Sequence, residues 1–241
     1  MNNTDKINYM KKLVVLTGAG MSAESGIATF RDSGGLWDKY PVEQVATPEA
    51  FDADPELVLE FYNVRRRELL NAKPNKGHYA LADLEKHFDV QIITQNIDNL
   101  HEQAGSSNVL HLHGELMKSR SVLDDTIIYD IDPNDSDLKI GMKCERGYQL
   151  RPHIVWFGEA VPMIEDAAII SEQADVYVII GTQMSVYPAA GLLQYVPSGV
   201  PVYLIDPKEV SVSRRGVHHI MKGASEGMKE LADILISKAN R

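Results

Sequence analysis

Residues 13–16, Leu-Val-Val-Leu, form a short apolar run without polar alternation, closed by Thr17 and Gly18. A strand that alternates hides one face. One that does not is covered on both, the condition of a parallel strand inside a layered α/β sheet. The chain then reads Gly18-Ala19-Gly20-Met21-Ser22-Ala23, a G-x-G-x-x-A pattern. Glycine lets the backbone turn sharply off the strand and approach a phosphate with no Cβ in between. The N–H groups that start the following helix then face an anion. An ordinary strand-turn-helix junction shares this outline. The strand before it and the small residues through the turn favour a dinucleotide or phosphate site.

Further runs at 90–94, 109–113, 153–157, 176–180 and 202–205 read as buried strands. Helical patterns cover 55–71, 77–87, 163–173, 189–195 and 225–238. Strands alternating with helices predict an α/β fold with a doubly wound, Rossmann-like parallel sheet. Two segments break the alternation: roughly 38–75, helical and charged, and roughly 117–150, polar and irregular. The 241 residues suit one large α/β domain, or one domain with a small insert. A formal charge of −10 argues against nonspecific nucleic-acid binding and fits a basic partner such as a lysine-rich peptide. Cys144 is the only cysteine, so no intrachain disulfide can form. Residues 1–12 hold no apolar leader core, and no run approaches about 18 apolar residues. No membrane association is expected, and the cytoplasm is the expected location.

The first turn does not continue as a dehydrogenase would. That fold wants a helix, then a second strand ending in Asp or Glu about 20 residues past the glycines. The chain instead gives Thr-Phe-Arg-Asp-Ser-Gly-Gly-Leu-Trp over 29–37, a polar loop. Arg31 can clamp a pyrophosphate there and Phe30 can cover a ring. Gln95, Asn96 and Asp98 lie just beyond a predicted strand. Their amides suit ribose hydroxyls and the carboxylate suits a carboxamide N–H, although a polar turn with Asx capping has the same composition. His113 also ends a predicted strand, where α/β active sites gather, and a neutral imidazole can take a proton from a hydroxyl. His111 shares its face of the strand, so a metal pair competes with the base. Tyr62 and Arg65 share a helix face, and together can grip a carboxylate. The same residues fit a solvated helix in which Arg65, Arg66 and Arg67 pair with Glu60 and Glu68.

In order along the chain, residues 18–31, then Thr94-Gln95-Asn96-Ile97-Asp98, His113-Gly114-Glu115 and Val155-Trp156-Phe157-Gly158-Glu159 resemble the successive signatures of the sirtuins. The resemblance runs from about Leu13 to the C-terminus and implies an NAD-dependent protein lysine deacylase. It implies one catalytic domain over 1–241, in which segments 38–75 and 117–150 form a small second domain from a helical module and a zinc module. By resemblance, Gly18, Ala19, Gly20 and Arg31 hold the pyrophosphate of NAD, while Ser22 and Glu24 shape the turn. Gln95 and Asn96 hold the ribose, and Ile97 and Asp98 line the nicotinamide pocket. Gly181, Thr182, Gln183 and Asp206 face the adenosine half, with Ala224 near the adenine. His113 is the implied base on the nicotinamide-ribose hydroxyls after nicotinamide has left. The backbone at Val155, Phe157 and Gly158 would pair with the substrate peptide as an added strand. In the implied reaction the acyl oxygen attacks C1′ of the nicotinamide ribose and a ribose hydroxyl captures the acyl carbon. Free lysine, nicotinamide and O-acyl-ADP-ribose result. The expected form is a monomer acting on acylated lysines of proteins or peptides.

The sequence departs from the family in places. A structural zinc needs four soft ligands, usually two Cys-x-x-Cys pairs. Ser121 stands where the first pair should begin, and the second keeps only Cys144, with Gly141 at its partner position. No structural zinc is expected. Ile127, Ile128, Ile131 and Leu138 are candidates for an apolar substitute. The acidic run 130–137 opens like a calcium loop but lacks the glycine and the bidentate Glu such a loop needs, and reads as solvated. Gln183 stands where the family commonly has serine, and Asp206 where it usually has asparagine; a carboxylate there would accept from a ribose diol and repel a 2′-phosphate, favouring NAD over NADP. The Tyr-x-x-Arg pair, Tyr62 and Arg65, marks the sirtuins that remove succinyl and malonyl groups, and Val42 stands in the preceding loop where those members keep a small residue. Two rivals stay open. One is an ADP-ribosyltransferase or NAD hydrolase using the same C1′ chemistry; the other is a catalytically silent NAD or ADP-ribose sensor.

Overall fold

The computed structural model of the chain describes residues 10–29 and 40–239. Phe30, Arg31 and the rest of the loop through Trp37 lie outside the described residues. The strands are β1 (Lys12–Thr17), β2 (Asp89–Thr94), β3 (Val109–His111), β4 (Gly114–Ser121), β5 (Ile128–Asp130), β6 (Leu150–Ile154), β7 (Val176–Ile180), β8 (Val202–Ile205) and β9 (His218–Ile220). The helices are α1 (Ala19–Ser22), α2 (Val42–Val45), α3 (Pro48–Ala53), α4 (Pro55–Asn71), α5 (Lys76–Leu84), α6 (Leu100–Gln103), α7 (Ile164–Glu172) and α8 (Ala224–Ala239).

The main sheet is six-stranded and parallel, in the order β3-β2-β1-β7-β8-β9. The lack of alternation in β1 has the expected cause. Leu13 and Val15 face one core with α5 and α8, while Val14 and Leu16 face another with α7 and the 3-10 segment Ala189–Gln194. All four are fully buried, and each such side chain stabilises the fold by about 1.5–3 kcal/mol. Register brings Thr17 level with Thr94 on one side and Ile180 on the other. The three central strands therefore end together, and their loops open at one edge. The chain leaves β1 toward β2 and later returns to its other side as β7, which makes the β1/β7 boundary the topological switch point.

A three-stranded antiparallel sheet, β5-β4-β6, and the helices α2 to α4 share a separate core that includes Val45, Val58, Phe61, Tyr62, Leu116 and Trp156. Helix α4 is started by Asp54, whose carboxylate accepts from the Leu57 N–H at 3.0 Å ahead of Pro55, and it stops at Asn71, three residues before Pro74. From this helix Asn63 exchanges two bonds with the Leu138 backbone (2.9 Å each), and Arg66 gives bonds to the carbonyls of Leu116 and Ser136 (2.8 Å each).

Several expectations are corrected here. Segment 153–157 is not a strand of the main sheet. The strand is Leu150–Ile154, paired with β4, and Phe157 beyond it is 43% exposed. The strand expected over 109–113 ends at His111, because Gly114 turns the chain at φ +80 so closely against His153 that a Cβ would strike its carbonyl oxygen. Part of 117–150 is regular after all, as the second half of β4 and as β5. The helix expected at 189–195 is a 3-10 segment. Val42 opens α2 rather than sitting in a loop, and packs toward the third core. Of the four apolar residues offered as a zinc substitute, only Ile131 and Leu138 pack together, with Leu59, while Ile128 is 42% exposed.

Candidate active site

A cleft of about 460 Å³ opens at the ends of β1, β2, β7 and β8, with the third core forming its other wall. Its floor is the first glycine turn. Gly20 N–H donates to the Gly181 carbonyl at 2.9 Å, and a Cβ on Gly20 would lie 2.6 Å from the Gly181 Cα. The two turns touch backbone to backbone, which is why Gly20 and Gly181 carry no side chain. Helix α1 is a single turn, and the Gly20 and Met21 N–H groups bond within the protein, to Gly181 and Gly18. The expected anion site at a helix N-terminus is thus much reduced.

Beyond β2, Asn96 gives its amide protons to the Gly18 carbonyl (3.0 Å) and Ser22 Oγ (3.1 Å), and Ser22 Oγ–H donates to Asp98 (2.9 Å). Asp98 also accepts from the Leu100 N–H at 3.1 Å. Burial raises its carboxyl above the usual range and these two bonds oppose the shift. Gln95 reaches across to Thr182 Oγ1 at 3.1 Å, bridging the turns after β2 and β7. Glu24 accepts from the Ser225 N–H at 3.1 Å and ties the first turn to the start of α8.

His113 lies half-buried in the same cleft with Nδ1 3.0 Å from the Gln95 carbonyl. A carbonyl only accepts, so Nδ1 carries the proton and Nε2 keeps its lone pair. Burial pushes the imidazole below its ordinary 6.5, with the carbonyl contact opposing. A neutral base of fixed tautomer results. His111 differs: it bonds the Asn96 carbonyl and Glu102, at 3.1 and 2.9 Å. Burial alone would lower it, but the Glu102 carboxylate holds it above its ordinary value. That partnership removes it from the competing metal pair, and no group of three or more His, Cys, Asp or Glu among the described residues is arranged to hold a metal. The zinc positions do not fit a metal either, for Ser121 and Gly141 offer no thiolate and the one thiol, Cys144 Sγ, lies 3.6 Å from Ser121 Oγ.

The third core supplies the other wall through Tyr62, Arg65 and Glu68 of α4, with Ala46 and Trp156. Trp156 Nε1–H donates to the Tyr62 oxygen at 2.9 Å, so the phenol's own proton stays available. Burial raises the Tyr62 pKa above the usual phenol range, keeping that proton in place. Arg65 gives Nε–H and Nη2–H to the two Glu68 oxygens at 2.8 and 3.0 Å. Its Nη1 is buried without a hydrogen-bond partner among the described residues. The charge pairing expected on a solvated helix is therefore partly present: Arg67 pairs with Glu60 and Asp137, whereas Arg66 is fully buried.

Every predicted site residue among those described lines the cleft except Ala224, which is 3% exposed in the core behind Gly223. Ile97, Gln183 and Asp206 are among the lining residues, as are Val155, Phe157 and Gly158. The Val155 and Phe157 N–H groups already donate to the His113 and Ala46 carbonyls (2.9 and 3.0 Å), so an added peptide strand cannot use those two donors. The residue reasoning missed Ala46, Glu68 and Tyr187. Glu68 alone carried a signal, its i,i+3 spacing from Arg65.

A cleft at the switch point of a parallel sheet, floored by two glycine turns and walled by a second core, defines a Rossmann-like nucleotide-binding protein. The Sir2 family model matches residues 18–188. An NAD-dependent protein deacylase of Bacteroides thetaiotaomicron is 62% identical over 94% of this chain and 99% of its own length. One of Helicobacter pylori is 48% identical over 96% of this chain and 98% of its own. Among solved structures, a Sir2 homologue in complex with ADP-ribose superposes with a TM-score of 0.88 at 41% identity, covering 96% of this chain and 94% of that one. A Sir2 homologue in complex with NAD gives 0.84 at 41%, covering 95% and 91%. The chain belongs to the Sir2 family.

Proposed function

We infer that the protein is an NAD-dependent protein lysine deacylase. The observation that carries the reading is His113, a neutral base of fixed tautomer, in one cleft with the glycine turns and the Gln95–Asp98 turn. The fit to NAD rests on Gly18, Gly20 and Gly181, whose close-packed turns floor the cleft with backbone, and on a polar run from Asn96 to Asp98 suited to ribose and carboxamide. When bound, NAD supplies a nicotinamide–ribose bond whose cleavage drives the transfer. Nε2 of His113 accepts the proton of a ribose hydroxyl. With NAD bound, Asn96 and Asp98 would orient the sugar and carboxamide, Gly18 to Gly20 and Arg31 the pyrophosphate, and Asp206 the adenosine ribose. The peptide binds along Val155 to Gly158, in the wall of the cleft that also holds His113.

The finer reading concerns the acyl group. The Tyr62 hydroxyl, which accepts from Trp156 and so has its proton to give, and Arg65 Nη1, which has no partner among the described residues, stand at the third-core wall, which fits the terminal carboxylate of a succinyl or malonyl chain. Ala46, rather than Val42, is the small residue beside them. The protein works as a soluble cytoplasmic monomer without structural zinc, its third core acting as a small inserted domain; no helix among the described residues is long and apolar enough to cross a membrane. Mass spectrometry of succinyl- and acetyl-lysine peptides incubated with NAD tests the reading. Loss of the acyl mass with release of nicotinamide and O-acyl-ADP-ribose is expected. A gain of ADP-ribose mass would mark a transferase, and an unchanged peptide a hydrolase or sensor.

A further inference from the structure

We propose that Glu68 is a specificity-determining residue of the acyl pocket, a built-in counter-ion to Arg65 that lets one pocket take acyl groups with and without a terminal carboxylate. The inference rests on the acyl reading of Tyr62 and Arg65 given above. A guanidinium presents donors along two edges. Glu68 occupies the side edge through Nε and Nη2, at 2.8 and 3.0 Å, and leaves Nη1 on the end edge buried and without a partner among the described residues. Arg65 is held against Phe61, its Cζ 5.2 Å from the ring centroid, so the guanidinium is fixed from two directions.

The Arg65 side chain is 13% exposed, in a wall built from Phe61, Leu69 and Leu116. A cation this far from water needs a counter-charge when the substrate brings none. Acetyl-lysine brings none, and Glu68 supplies it. Succinyl-lysine brings its own carboxylate to the end edge, where it also meets the negative charge Glu68 has placed on the same guanidinium. The Glu68 side chain is 49% exposed, so water screens part of that repulsion but not all. The preference for a charged acyl group is then lower than Arg65 alone would produce.

Glu68→Gln keeps an acceptor for Arg65 and nearly the same volume while removing the charge. The test is steady-state kinetics with one peptide carrying either succinyl- or acetyl-lysine, at saturating NAD. It compares wild type, Glu68→Gln, Arg65→Met and the double variant. In Glu68→Gln the succinyl-over-acetyl ratio of kcat/KM should rise about 3- to 10-fold, through a lower KM for the succinyl peptide. In the Arg65→Met background the same replacement should leave the ratio where it was. A ratio that holds or falls in Glu68→Gln while Arg65→Met lowers it would overturn the role of Glu68 and leave the acyl reading standing. A ratio that Arg65→Met does not lower overturns both. Parallel loss of both activities in Glu68→Gln, with the ratio unmoved, marks a structural residue and counts equally against the proposal.

Discussion

His113 is made a base by one bond and one environment. The Gln95 carbonyl fixes the proton on Nδ1, and burial keeps the ring from charging at neutral pH. Only the neutral form can accept a proton, and its pKa lies below 6.5, so activity lost on acidification should disappear below that value. A kcat/KM profile whose acid limb has its midpoint above 7 would assign the limb to another group. His113→Ala should cut deacylation by roughly 10²–10⁴ while NAD affinity by calorimetry stays within a few-fold. Near wild-type turnover in that variant would mean that the base lies elsewhere. On the acyl reading proposed above, Arg65→Met removes a charge-assisted bond to the acyl carboxylate worth roughly 1.5–3 kcal/mol, so desuccinylation should fall about 10- to 150-fold and further than deacetylation. Equal losses would make Arg65 a structural residue.

At the scale of elements, helix α4 does two jobs with consecutive residues. Tyr62 and Arg65 face the cleft, while Asn63 and Arg66 clamp the segment 136–138 and β4. Arg66 is fully buried, and burial lowers its pKa to about 10. Replacing it by Leu takes the guanidinium bonds from the carbonyls of Leu116 and Ser136 and one of two from the Asn63 amide oxygen, which keeps the Leu138 N–H, at a cost of about 2–4 kcal/mol. Arg67→Ala breaks an exposed pair with Glu60 and Asp137 and should cost under about 1 kcal/mol. Urea midpoints of the two variants decide, and equal shifts would refute the clamp. The same polar clamp accounts for how the small sheet is held without four zinc thiolates. Elemental analysis should therefore find well under one zinc per chain, and chelator should leave Tm unchanged. Stoichiometric zinc retained in chelator would show a site that Ser121 and Cys144 alone do not explain.

Across the whole molecule, the cleft is anchored from behind by two buried histidines. His101 Nε2 lies 3.2 Å from Thr17 Oγ1, which donates to Thr94 Oγ1 at 2.8 Å, and Thr94 in turn accepts from the Asn96 N–H at 3.0 Å. His78 packs edge-on against His101 at 4.8 Å, joining α5 and α6 to the strand ends that carry Gly18 and Gln95. Burial lowers His78 to about 4 and holds His101 well below 6.5, where its neighbours His78 and His111 add to the effect. Below 6.5 the unfolded chain binds protons that the folded one refuses. Stability is thus full above 6.5 and is lost as pH falls toward about 4, by up to about 1.4 kcal/mol per pH unit for each histidine. Urea midpoints at pH 7.5, 6.0 and 5.0 should fall steadily. A midpoint unchanged down to pH 5.0 would contradict the buried pair as an acid-sensitive anchor.

The unalternating run Leu13–Leu16, the glycine turn behind it and the helix Pro55–Asn71 were legible because each is decided by neighbours within a few positions: burial on both faces, a backbone that admits no Cβ, a capped 3.6-residue period. Their motifs also brought His113, Asn96 and Asp98 to one cleft, though His113 lies two residues past the end of β3 rather than on it. Segment 153–157 was misread as a main-sheet strand because an apolar run does not say which sheet covers it; pairing with β4 did. The packing of α2 placed Ala46 rather than Val42 at the cleft. Ala224 looked like a ligand contact until the start of α8 turned it into the core. The clamp from α4 joins residues about 70 positions apart, beyond any local period. Periodicity and turn chemistry are written in adjacent residues, so the sequence alone determined the parallel sheet and the chemistry at its strand ends. Which buried donor lacks a partner depends on every chain segment packed around it, so only the tertiary structure decided how the third core meets the cleft and that Arg65 Nη1, beside Glu68, has no partner among the described residues.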